Sequence, residues 1–367
     1  MNKTLFTTAA LSSALLGVAF AGSEVDALDS SLISKEQSLF DRFSFGSYGE
    51  IHAQVGDGTD NIDPHRIVLF ADFKLTDKLR FVSETELEHA LRKYEGSDWT
   101  SDGVEFKLEQ AYFEYSFSEE VTGYAGLYLV PVGVINQIHE PTTFYGVERP
   151  NVEKYILPTT WTELSVGASK KYDNGLQVDA VLHSGLDTRG SDGYIRGGRS
   201  NYQFEEYQQN TDSWAMTARA KYTGIAGVEL AGSLQYQYDT SSSLSGQQDA
   251  ILASTHGVYR KGGFQFIALA NYWNIDGYSD SDTENQWGYY FEPSYAWDTA
   301  IGKVGVFGRF SQYEYFKGSQ KEISEFSVGA NYWLNENWVV KTDYLNADEK
   351  GKSGSNETYN FGIGWSY

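Results

Sequence analysis

The last nine residues constrain the fold most. Tyr359, Phe361, Ile363, Trp365 and Tyr367 alternate with Asn360, Gly362, Gly364 and Ser366, giving one large apolar face and one small polar face. A period of two belongs to a β-strand and not to a helix. The same alternation recurs toward the amino terminus. Trp338, Val340, Thr342 and Tyr344 oppose Val339, Lys341 and Asp343, while Phe326, Val328, Ala330 and Tyr332 oppose Glu325, Ser327, Gly329 and Asn331. Further stripes are Val304 to Phe310, Phe264 to Tyr272, Leu230 to Tyr236 and Ile67 to Leu75, each taken at every second residue.

The connections between these segments are sorted by length. Short polar turns fall at Asp77-Lys78, Ser118-Glu120, Asp173-Gly175, Thr223-Gly227, Gly262-Gly263, Asp298-Gly302 and Asn335-Asn337. Longer connections at 56–64, 92–103, 130–162, 187–212, 239–248, 276–285, 316–321 and 348–356 alternate with them. Fifteen connections join sixteen strands. An even strand number with short turns at one end and long loops at the other predicts an all-β fold, a transmembrane antiparallel β-barrel. The short turns would be periplasmic and the long loops extracellular. A soluble sandwich would point the apolar faces into a core, but it has no reason to sort its loops in this way. Aromatic residues stand near both ends of many strands, as in Trp214 and Tyr222 or Tyr289 and Trp297, where headgroup girdles are expected.

Composition agrees with this reading and closes other routes. The 367 residues carry 28 Lys and Arg against 50 Asp and Glu, a net charge of -22, so no nucleic-acid partner is expected. With 9 Trp, 27 Tyr and 21 Phe the chain is too aromatic to be a disordered acidic polymer. It has no Cys, which excludes disulfides and thiolate chemistry. At the amino terminus, Lys3 precedes an apolar stretch from Ala9 that ends in Ala19-Phe20-Ala21, which predicts a secretory signal over 1–21. Residues 22–41 are expected to form a short periplasmic leader, and 42–367 the barrel.

The connection 130–162 differs from the other long loops. It holds four of the six prolines, Pro131, Pro141, Pro150 and Pro158, together with Val132, Val134, Ile135, Phe144, Tyr145, Ile156, Leu157 and Trp161. A loop of this length is functional or disordered, and this one is too apolar for disorder. The nearest surface that can cover it is the inner barrel wall. Its charged residues, His139, Glu140, Glu148, Arg149, Glu153 and Lys154, would then narrow the lumen. Bases on the wall, among them Arg219, Arg260, Arg309 and Lys341, would face the same space and contribute to selectivity. A surface cap or a subunit contact is the alternative use of such a loop. By contrast, 187–212 is largely polar and reads as a loop in solvent.

The stretch His139-Glu140-Pro141-Thr142-Thr143-Phe144-Tyr145-Gly146-Val147-Glu148-Arg149, continuing to Ile156-Leu157-Pro158-Thr159-Thr160-Trp161, resembles the third-loop region of porins related to the phosphate-selective porin O and P family. The aromatic last strand likewise resembles the carboxy-terminal signal by which outer-membrane barrels are recognised, which assigns Tyr359, Phe361, Ile363, Trp365 and Tyr367 to barrel closure and assembly. The resemblance implies sixteen strands per barrel, association into a homotrimer, and a third loop folded inward as the constriction. It further implies an outer-membrane location in a Gram-negative bacterium, with outer-membrane lipid, lipopolysaccharide and the barrel-assembly machinery as partners. The implied function is passive diffusion of small hydrophilic or ionic solutes. Phosphate-selective members line the pore with arginines and lysines, whereas this chain has only 11 Arg against 50 acids. An anion-selective channel is therefore the second expectation and not the first.

Catalytic and metal signatures are weak. The six histidines show no i,i+4 pair and no G-x-S-x-G elbow is present. A barrel-embedded enzyme would have to use a pair such as Ser254 and His256. Asp57, Asp60, Asn61 and Asp63 fail the spacing of an EF-hand calcium loop. No catalytic residue, metal ligand or cofactor is expected.

Overall fold

The computed structural model describes residues 39–56, 60–88, 93–95, 98–100, 105–158, 160–188, 194–201, 213–240, 247–276, 284–315 and 322–367. The expected signal and leader positions up to residue 38 lie outside the described residues. Leu39–Arg42 is one turn of 3-10 helix and belongs to an amino-terminal unit, while the barrel unit is Phe43–Tyr367.

Sixteen strands close into an antiparallel barrel. They are β1 Phe43–Gly56, β2 Asn61–Lys74, β3 Leu79–Glu88, β4 Glu105–Ser116, β5 Val121–Leu129, β6 Thr162–Lys171, β7 Leu176–Ser184 and β8 Trp214–Tyr222. They continue as β9 Val228–Tyr238, β10 Ala250–Lys261, β11 Phe264–Ile275, β12 Asn285–Thr299, β13 Gly302–Glu314, β14 Glu322–Trp333, β15 Trp338–Glu349 and β16 Asn356–Ser366. A two-stranded hairpin, Lys93–Glu95 with Asp98–Thr100, stands apart from the barrel sheet within the loop between β3 and β4.

Each strand pairs with its neighbour in sequence, and β16 closes the ring against β1 with Tyr359 opposite Val55 and Phe361 opposite Ala53. The final residue completes the seam, since Tyr367 N donates to Ser47 O at 2.7 Å and Ser47 N donates to Tyr367 O at 2.9 Å. Closure leaves no edge whose N–H and C=O groups would go unpaired in hydrocarbon. Reversal at the short end uses glycines with positive φ, such as Gly175 at 84° and Gly262 at 60°.

The outer wall is apolar. Leu69, Phe113, Leu164, Leu234, Phe326 and Phe361 are exposed on it, at the alternate positions the sequence pattern selects. Such a belt is stable only against lipid, and aromatic pairs mark both rims. Trp214 meets Tyr236 at the long-loop end, and Trp338 meets Tyr367 at the short-turn end, where the indole N–H also donates to the tyrosine hydroxyl. The chain is a transmembrane barrel of the outer-membrane kind.

Candidate functional site: a loop docked across the lumen

The connection between β5 and β6 runs inside the barrel. Its path is prepared by small residues on the inner wall. A Cβ added to Gly362 would lie 3.0 Å from Val147, one added to Gly364 2.5 Å from Pro141, and one added to Gly305 2.5 Å from the Tyr145 hydroxyl. Gly288 plays the same part beneath Val152 and Ile156. The small face of the last strand is therefore a seat for the loop.

One side of the loop is held by apolar burial. Val130, Val132, Val152, Ile156, Leu157 and Trp161 pack on Leu252 and Val258 of β10, Leu269, Trp273 and Ile275 of β11, Tyr290 of β12 and Tyr313 of β13. Burying each such side chain contributes ~1.5–3 kcal/mol relative to leaving it in water. Trp273 also donates its indole N–H to the Ile156 carbonyl at 2.9 Å. The next long loop joins this cluster. Leu186 and Ile195 are fully buried in it, and the Tyr194 hydroxyl donates to the Tyr155 carbonyl at 3.0 Å. The largely polar segment 187–212 is thus docked, at its described residues, through Ile195, with Leu186 buried just ahead of it.

Four wall bases clamp the loop backbone or side chains. Arg66 donates to the His139 carbonyl at 2.9 Å, Arg219 to the Gln137 side chain at 2.6 Å, Arg309 to the Tyr145 carbonyl at 2.8 Å, and Lys341 to the Gly146 carbonyl at 2.9 Å. Three of them also pair with a wall carboxylate: Arg66 with Glu50, Arg219 with Asp179 and Arg309 with Glu292. From the loop side, Asp343 on β15 accepts the Val147 N–H at 2.7 Å. The three buried guanidinium groups thus have their charge paired by a wall carboxylate.

The other side of the loop faces β1 to β4, where the wall is acidic. His139 is buried among Glu84, Glu109 and Tyr48, its Nε2 lying 2.8 Å from the Tyr48 hydroxyl and 3.6 Å from Glu109. Glu86 stands 3.6 Å from Arg66. Oxygens of Glu86 and Glu109 have no hydrogen-bond partner among the described residues. Glu50 and Glu86 thus lie against the Arg66 guanidinium, and Glu84 and Glu109 against His139.

The residues singled out in the sequence occupy distinct places. His139, Glu148, Arg149 and Lys154 lie on the charged side. Glu148 pairs with His52 at 2.9 Å and Lys154 at 3.7 Å, and Arg149 donates to Thr160 at 2.7 Å. Partial burial acts to raise the Glu148 carboxyl, but Lys154 and His52 outweigh it and hold it well below the usual carboxylate range. Glu140 is half-buried, and its carbonyl accepts from Thr143. Glu153 points the opposite way, into the apolar side. Its carboxylate accepts the Val134 and Ile135 N–H groups and the Tyr290 hydroxyl, and burial nevertheless pushes its pKa up. Arg219, Arg309 and Lys341 are the clamps described above. Arg260 is not brought to the loop's charged side. It lines a cavity of about 590 Å³ at the short-turn end with Thr142, Tyr145, Lys303 and Trp333, because it sits beside the β10–β11 turn.

Sequence reading missed several residues. His52 and His65 are brought together by a β-bulge, since β1 and β2 slip register between Glu50–Arg66 and His52–Asp63. The Asp63-Pro64-His65 run is the available signal, because proline within a sheet is confined to edges and bulges. The apolar wall is signalled on β11, where apolar residues occupy both faces from Phe264 to Trp273. Ser254 and His256 are not hydrogen-bonded to each other. His256 faces Glu229 at 3.2 Å, and the Ser254 hydroxyl has no hydrogen-bond partner among the described residues.

The fold and the docked loop together define the class as a sixteen-stranded transmembrane β-barrel of the outer-membrane kind. No protein-family model matches the chain. An uncharacterized protein of Aquifex aeolicus is 27% identical over 363 residues, covering 88% of this chain and 80% of that one. Among solved structures, a Salmonella typhi OmpF complex with daunomycin superposes with a TM-score of 0.61 at 11% identity, over 89% of this chain and 97% of that one. An anion-selective porin from Comamonas acidovorans gives 0.56 at 12% identity, over 89% and 99%. At such identities the likeness is one of fold.

Proposed function

We propose that the protein is a passive outer-membrane channel for small hydrophilic or ionic solutes, with 130–161 as its constriction. The carrying observation is the two-sided loop, dry against β10–β13 and charged toward β1–β4. A solute passing the charged side meets Glu148, Arg149 and Lys154 from the loop, with the carboxylates of β1 to β4 behind them. Fixed charges in a narrow, poorly screened passage set which ions enter. The wall bases are used on loop carbonyls and carboxylates, which leaves the acids of β1–β4 in excess.

The channel is accordingly neutral or mildly cation-preferring. Anion selectivity, the property named for the Comamonas structure, is the second reading and rests on Arg149 and Lys154. No covalent chemistry is assigned, and three barrels are expected to associate as the third-loop resemblance implies. Single-channel recording in planar bilayers tests the proposal. Stepwise conductance with a reversal potential near zero or on the cation side is expected in a salt gradient. Absence of channels, or strong anion preference, counts against it.

A further inference from the structure

Where the loop meets the bulge of β2, three side chains converge. His52 Nδ1 lies 2.9 Å from Glu148 Oε1, and the His65 ring stacks on His52 with centroids 4.5 Å apart. One ligand atom from each of His52, His65 and Glu148 falls within 4.8 Å of the others. We propose that these residues bind one late first-row divalent cation of the zinc class.

Two further observations point to a metal. Each histidine has a carboxylate on its other ring nitrogen: Glu50 lies 3.1 Å from His52 Nε2, and Asp63 lies 3.1 Å from His65 Nδ1. Carboxylate–histidine–metal relays of this kind fix the tautomer and turn the ligating nitrogen toward the ion. The bulge is the second. Without its extra residue, His65 and Arg66 would face opposite sides of the sheet, whereas the bulge re-aims His65 onto His52. Two imidazoles and one carboxylate suit zinc, copper, nickel or iron(II) better than calcium or magnesium, which prefer oxygen donors. Ligands around tetrahedral zinc lie roughly 3.3 Å apart, so small side-chain movements complete the site.

The cation would tie the charged side of the loop to the β1–β2 wall and add positive charge to the constriction. Lys154, 3.7 Å from Glu148 Oε2, is the local competitor.

The test uses the folded, detergent-purified full chain titrated with ZnCl2 against a chromophoric chelator. One tight equivalent per chain is expected. His65→Asn, a change on a partly exposed bulge, should weaken it at least about tenfold, as should Glu148→Gln, while Asp63→Asn should weaken it through the orienting bond. Lys154→Met should tighten it. No tight equivalent in the unaltered protein, or an affinity in His65→Asn and Glu148→Gln unchanged from that of the unaltered protein, overturns the proposal. Binding is read without current, so a failed site and a failed channel are distinguishable. A protein that conducts but binds no zinc loses only this site.

Discussion

On β10 to β13 the lumen-facing positions near the loop include Leu252, Leu269, Trp273, Tyr290 and Tyr313, whereas on β1 to β4 they are Glu50, Arg66, Glu84, Glu86 and Glu109. The same loop meets both walls. Against the first it behaves as a piece of protein core, and against the second it presents charged side chains to a charged wall. A barrel interior need not be uniformly polar. Here it is apolar where a segment docks and charged on the opposite wall, and the glycines of β12, β13 and β16 give the docked segment room.

The contrast can be broken most sharply from the dry side. Trp273→Ala removes the central ring and its bond to the Ile156 carbonyl, a loss of about 3–5 kcal/mol at a buried aromatic. Protease cleavage within 130–161 should rise and single-channel conductance should increase, while the outer strands stay folded. Next in size is Gly364→Val. Its side chain would strike Pro141, and overpacking costs about 1–3 kcal/mol. The loop should shift from β16 with the strand register retained, measured as a raised solute size limit in liposome swelling.

A pH test sharpens the same comparison at smaller scale. Glu153 has a raised pKa when docked, so the docked loop holds a proton that the free loop releases. Docking is most stable below the ordinary glutamate value of about 4.3 and weakens as pH rises through the raised value. Glu153→Gln mimics the protonated form and should remove that slope from the pH dependence of loop proteolysis. A slope unchanged in the variant would assign the effect to another group. On the charged side, Arg149→Glu should leave docking within about 0.5 kcal/mol yet move the reversal potential toward cations. If that variant loosens the loop instead, the division into two sides fails.

Much of this was legible in the residues. The alternating outer faces and the sorted connections specify sixteen strands, because lipid demands one apolar face on every strand. The four prolines and apolar content of 130–162 mark a loop that packs. Which wall it packs on was not legible, because apolar residues on both faces of β11 read equally as strand propensity. The roles of Arg219, Arg309 and Lys341 were hidden for a different reason. A lumen-facing base has the same sequence signature whether it meets a solute or a loop carbonyl. His52 and His65 are brought together by a bulge that strand periodicity does not encode.

The absence of cysteine allows the central claim to be tested by single-cysteine reporters. Arg149→Cys and Leu157→Cys, made separately, place a thiol on the charged and the dry side of the loop. A charged methanethiosulfonate reagent is then added during single-channel recording. The account predicts stepwise current reduction with Arg149→Cys and silence with Leu157→Cys. Reaction at Leu157→Cys with no effect at Arg149→Cys would contradict it.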